Sequence, residues 1–189
     1  ITDMGTGFSR EVSGSSLSKD KGTNRFRWNM RHSGSWDKDP KKAFLNGPLV
    51  APGKYIAQLN IEGKKYTNKF KILLDPNVEK SGIRVRNVKA QEKLSLQVRS
   101  LLDESKIMAH KLKDVEDGPM LVIKKALVTN EGPYPQPMLI DQARYLGSML
   151  DRSDQQPGDD AYSRFEELNE QFESLKKSYN GRLVTFKRT

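Results

Sequence analysis

Gly22-Thr23-Asn24-Arg25-Phe26-Arg27-Trp28-Asn29-Met30-Arg31, followed after a loop by Gly47-Pro48-Leu49-Val50-Ala51-Pro52-Gly53-Lys54-Tyr55, is the stretch on which the fold turns. Phe26, Trp28 and Met30 alternate with Arg25, Arg27, Asn29 and Arg31. A period of two predicts a strand with one apolar and one basic face, and it assigns Trp28 to the core. Pro52-Gly53 signals a turn into a second strand that places Tyr55, Ala57, Leu59 and Ile61 on one face. Glu62-Gly63 is a two-residue hairpin turn, since glycine accepts positive φ without a steric penalty. The return strand then carries Tyr66, Asn68, Phe70, Ile72 and Leu74 in one row, and Asp75-Pro76 ends it because proline cannot donate to a ladder.

The period changes near Val85. Leu94, Val98, Leu101, Ser105, Met108, Leu112 and Val115 recur at alternating spacings of four and three, which predicts a long amphipathic helix stopped by Asp117-Gly118-Pro119. Met120 to Val128 fits a short helix or an extended segment. A proline-rich connector, Glu131 to Pro137, leads to a helix with Leu139, Ala143, Leu146 and Leu150 on one stripe. Another carries Ala161, Phe165, Leu168, Phe172, Leu175 and Tyr179, with Asn180-Gly181 as its expected stop. Narrow stripes of this kind are hidden against one another, so an antiparallel bundle of three to four helices is expected.

The pattern Asn24-Arg25-Phe26-x-Trp28-Asn29-x-Arg31, Gly47-Pro48-x-x-x-Pro52-Gly53-x-Tyr55, Gly63-x-x-Tyr66 and Asp75-Pro76 resembles a known module. It is the immunoglobulin-like domain near the C-terminus of secreted bacterial BNR-repeat or sortilin-like propeller proteins of the glycosyl-hydrolase type. The shorter Trp and Pro-Gly-x-Tyr pattern is similar to the immunoglobulin-like domain of the flagellar hook-capping protein. Leu139 to Leu150 and Tyr162-x-x-Phe165-x-x-Leu168 resemble the helical tail of the hydrolase-type family. One departure is Asn29, where that family usually has aspartate; a loop anchored there by a carboxylate in relatives is anchored here by an amide.

The resemblance implies an α+β chain: an immunoglobulin- or fibronectin-like β-sandwich over 1–78, its first strand truncated, and a helical bundle over 84–181. It also implies a secreted, periplasmic or cell-surface bacterial protein. A chain opening at Ile1 in mid-strand reads as a fragment whose signal sequence lies upstream. The propeller domain and any glycoside-hydrolase active site then lie outside this chain, and the upstream propeller or another protein domain is the expected partner.

Composition narrows the function. The 189 residues contain no cysteine, which removes disulfides, thiolate zinc sites and cysteine nucleophiles. No run is long enough to span a bilayer as a helix. The net charge of +9 is concentrated in the first part: residues 1–78 hold 14 Lys and Arg against 7 Asp and Glu, and the rest hold 19 against 17. Such an excess favours acidic partners. Nucleic acid is not expected, because no recognition motif or array of exposed aromatics accompanies the charge. No glycine-rich phosphate loop occurs, and no cofactor is implied.

Candidate chemistry is sparse. His32 and His110 lie on different elements without ligand spacing and read as surface histidines. Asp37 and Asp39 with Asn46 have oxygens for calcium, but Lys38, Lys41 and Lys42 surround them and oppose a cation, so they read as solvated loop charge. Glu166, Glu167, Glu170 and Glu173 fall off the apolar stripe and read as a solvated helix face. With no converging nucleophile, base and orienter, no catalytic residue is assigned and the chain reads as a non-catalytic structural or docking module. The alternative is a carbohydrate-binding accessory module. It would use Trp36 and the Arg25, Arg27 and Arg31 row, flanked by Lys41 and Lys42 in the 32–46 loop. A basic nucleic-acid-binding domain is the further alternative. Trp36 itself admits two readings, an exposed contact residue or a flap that, with Phe44, covers the sheet edge.

Overall fold

A computed structural model describes residues 2–3 and 20–186. Phe8 to Val12 reads in sequence as a possible strand and Ser13-Gly14-Ser15-Ser16 as a flexible, turn-rich segment; both lie outside the described residues. Two nine-residue strands, β2 (Gly53–Ile61) and β3 (Lys64–Ile72), form an antiparallel hairpin, and a two-residue strand β1 (Thr2–Asp3) pairs along β2. Among the described residues five helices follow: α1 (Pro76–Lys80), α2 (Val85–Lys111), α3 (Gly118–Leu127), α4 (Leu139–Leu150) and α5 (Asp159–Phe186).

The hairpin has the register that the alternation predicts. Tyr55 faces Phe70, Ala57 faces Asn68, Leu59 faces Tyr66, and Ile61 faces Lys64. Glu62 and Gly63 both take positive φ, 49° and 81°, as a type I′ turn requires. Asp75 caps α1 by accepting a 2.7 Å hydrogen bond from the Asn77 amide, with Pro76 where its missing N–H costs nothing.

The immunoglobulin-like β-sandwich is not present: among the described residues there is one small sheet and no second sheet facing it. The alternation from Phe26 to Met30 does not make a strand. These residues join no ladder, Phe26 and Met30 are exposed, and Met30 sits at φ 55°, a left-handed conformation that breaks a pleat. In place of a strand, the two ends of the following loop pair with each other. Arg31 bridges Leu49 in antiparallel fashion, the His32 amide donates to Pro48 O at 2.8 Å, and the Val50 amide donates to Met30 O at 2.9 Å. Trp28 is half-buried and meets Tyr55 and Phe70 edge-on at 5.8 and 6.3 Å, so its indole packs on the hairpin without belonging to the sheet.

The core lies in the helices. Leu94, Val98, Leu101, Met108 and Leu112 of the α2 stripe are buried together with Leu139, Ala143, Leu146 and Leu150 of α4, Leu168 and Phe172 of α5, and Ile123 and Leu127 of α3. Met120 to Leu127 is therefore helical, and its two buried residues lie four apart on one face. Asn180-Gly181 does not stop the last helix, which continues to Phe186. A glycine stop operates by taking positive φ just past the helix, and Gly181 is not among the residues with positive φ.

Candidate functional site

Residues 31–50 form a strap that closes on itself and lies on α2 and the end of α4. Gly34 donates to Phe44 O at 2.8 Å, and Phe44 donates to Ser35 O at 3.0 Å. The strap crosses itself so closely that a Cβ at Gly34 would lie 1.9 Å from Leu45 O, and one at Gly47 would lie 2.3 Å from Ser33 O. Only glycine fits either place.

The helix side of this contact is a polar row. Glu92, Ser95, Arg99, Asp103, Lys106 and His110 recur at helical spacing along α2, beside its apolar stripe. Glu92 takes the His32 ring at 2.7 Å and the Ala51 amide at 3.0 Å on one carboxylate oxygen. Arg99 Nη1 reaches Ser33 O at 3.5 Å. The Trp36 amide donates to Asp103. Lys106 donates to Ser35 Oγ at 3.1 Å and to Trp36 O at 3.2 Å, and it approaches Asp37 at 3.5 Å. The Asp37 carboxyl is held below its usual range, chiefly by the hydrogen bond from the Asp39 amide; the Lys106 charge adds to this and partial burial opposes it. His110 lies tilted against the Trp36 ring at 5.2 Å.

This geometry relocates several residues. His32 is not a surface histidine: it is 3% exposed and bonded to Glu92. Trp36 is half-buried against α2, closer to a flap than to a free contact residue, yet it covers a helix and not the sheet edge, and Phe44 stays exposed. Arg31 turns to Asp151, 2.9 Å away, and to Gly47 O at 2.9 Å, whereas Arg25 and Arg27 remain exposed. The three arginines thus do not present one uniform row. Lys41 and Lys42 are exposed, with Lys42 4.0 Å from Asp39.

Carboxylates do gather in the cleft of about 580 Å³ between α2 and α5, which Glu92, Glu104 and Glu173 line. Each is already engaged, Glu92 by His32 and the other two by Lys176 at 2.6 and 3.4 Å. The hydrogen bond that Lys176 donates to Glu104 is the main cause that raises the Lys176 pKa. Among the described residues no group of three or more His, Cys, Asp or Glu is arranged to hold a metal ion.

Two surfaces of the hairpin complete the inventory. One is apolar and continues outward from Tyr55 and Phe70 through Leu59, Ile61 and Tyr66, which are 44, 49 and 55% exposed. The other carries Lys54, Lys65, Lys69 and Lys71, with Lys54 directly opposite Lys71. None of these lysines forms an ion pair among the described residues. Sequence alternation exposes both faces directly, whereas the polar row of α2 looks in sequence like an ordinary solvated helix face. Only its in-register spacing beside the apolar stripe marks it.

Comparison of the chain with protein-family models, with curated proteins and with solved structures gives no match in any of the three.

Proposed function

We propose that this chain is a non-catalytic docking module whose helical bundle carries the β2–β3 hairpin and presents its apolar face to a neighbouring protein domain. The observation that carries this reading is the half-covered hairpin. Tyr55 is 2% exposed at its base, yet Leu59, Ile61 and Tyr66 continue the same face into solvent. A two-stranded ribbon is marginal alone, and a face of this kind gains stability by burial against another surface. The engagement of Glu92, Glu104 and Glu173 by basic partners is consistent with a role other than catalysis. The resemblance to the tails of secreted hydrolase-type propeller proteins supplies the context of this reading: the neighbour is a propeller domain of the same extracellular bacterial polypeptide.

The test is a photo-crosslinking amino acid at position 66 in the full-length native protein, with position 145 on α4 as a control. An adduct at position 66 to a peptide of an adjoining domain, lost in Leu59→Lys, supports docking. A hairpin that gives no adduct while its side chains stay solvent-accessible in the native protein rejects it.

The lysine face favours a second reading, a module that binds acidic glycan. Gln58, Asn60 and Thr67 lie between the lysines on that face and supply hydrogen-bonding groups for hydroxyls. A glycan array separates the readings: retention of uronic-acid polymers that is lost in Lys69→Glu/Lys71→Glu supports this one.

A further inference from the structure

We infer that the pocket where the strap, α2 and α4 meet is a binding site for a small oxyanion, with Arg99 as its central ligand. The pocket encloses about 250 Å³, well above the ~10–15 Å³ that a single water requires. Arg99, Ser95, Asn46, Arg144, Ser148 and Asp151 line it.

The argument begins with the hydrogen-bond account of Arg99. Its Nε is buried and has no partner, the sole side-chain nitrogen or oxygen in this condition among the described residues. Its single hydrogen bond is the long one from Nη1 to Ser33 O at 3.5 Å. The Nε–Nη2 edge, the side of the guanidinium that receives two oxygens of a carboxylate or phosphate in parallel, is therefore unused. Leaving a buried donor unpaired carries a desolvation penalty, and a position that retains one has a reason to do so.

The charge balance gives the sign of the ligand. Asp151 is the single acidic side chain lining the pocket, and both its oxygens are held by Arg31 at 2.9 Å. Arg144 is paired with Asp141. Arg99 thus contributes one positive charge that no carboxylate of the described residues pairs with. Ser95, itself 9% exposed, lies one helical turn before Arg99 and lines the same pocket, and a hydroxyl is a group that can donate to a second oxygen of the ligand. This site is independent of the hairpin and of the docking reading.

The experiment follows the Nε–H resonance of Arg99 in the full chain by proton–nitrogen correlation while sodium phosphate or sodium acetate replaces sodium chloride at constant ionic strength. We expect a saturable shift with at least one anion, and a matching saturable rise in Tm. Arg99→Lys keeps the charge and loses the fork; it should weaken the anion's effect on Tm at least tenfold in apparent Kd. Saturation by acetate alone assigns a carboxylate ligand, and saturation by phosphate alone assigns a phosphoryl group. Shifts that are linear and alike for both anions, or an Arg99→Lys protein that responds like the wild type, would overturn the proposal. The resonance is read on wild-type protein, so the result does not depend on whether the variant folds.

Discussion

The helical bundle and the β-hairpin solve the same problem differently. Each helix of the bundle brings one narrow apolar stripe, and the stripes cover one another, so that Leu94, Leu127, Leu139, Leu168 and Phe172 lie at or below 1% exposure. The hairpin has an equally clear apolar face, but among the described residues it is covered only at its base, where Trp28, Tyr55 and Phe70 meet. Periodicity identifies which face is apolar; it does not say whether the same chain supplies the cover. Among the described residues the stripes of the bundle cover one another, and the outer half of the hairpin face stays exposed.

The sharpest test of that contrast compares truncations to alanine on either side of it. Phe172→Ala removes a fully buried ring and is expected to cost about 4 kcal/mol in urea unfolding, the usual range for a core aromatic. Ile61→Ala on the exposed half of the hairpin is expected to stay within about 0.5 kcal/mol. A loss above about 2 kcal/mol at Ile61 would show that the chain covers this face itself and would end the contrast.

The contrast also shows what sequence can carry. The hairpin register, its turn and the apolar positions of α2, α4 and α5 all follow from periods of two and 3.6, because those periods are fixed by backbone geometry. The sandwich did not follow, because Phe26, Trp28 and Met30 have the right alternation without the backbone: Met30 leaves the β region and ends any pleat. The strap contacts were equally hidden. Glu92 and Lys106 look solvated in isolation, and only their partners, His32 and Ser35 some 60 to 71 residues away, make them interior groups. Long-range pairing of polar residues leaves no local period behind.

The next test addresses the seam between the strap and the bundle. His32→Ala leaves the Glu92 carboxylate buried with the Ala51 amide as its remaining neighbour, and it should cost about 2–3 kcal/mol. The loss is smaller than for Phe172→Ala because one hydrogen bond to the same oxygen survives. Hydrogen exchange should show faster opening of residues 31–50 with the α4 and α5 amides unchanged. Equal acceleration throughout would mean that strap and bundle open as one unit.

The smallest expected effect is at Asp37, on the outer end of the same seam. Its carboxyl accepts the Asp39 amide at 3.0 Å and faces Lys106, and both hold its pKa below the unfolded value. A carboxyl whose folded pKa is depressed contributes stability that is complete above its unfolded pKa and is lost as pH falls through the folded one. The strap should therefore loosen slightly in strong acid and be insensitive to pH near neutrality on this account. Solvent screening at this position keeps the effect small. On a Trp28→Phe background, Trp36 is the sole indole and reports its contact with His110. Wild-type and Asp37→Asn proteins should differ in acrylamide quenching of Trp36 at neutral pH and converge as the medium becomes strongly acidic. A difference that widens in acid would show that the neutral side chain, not the carboxylate, is the form the strap prefers, and would remove Lys106 and the Asp39 amide as its anchors.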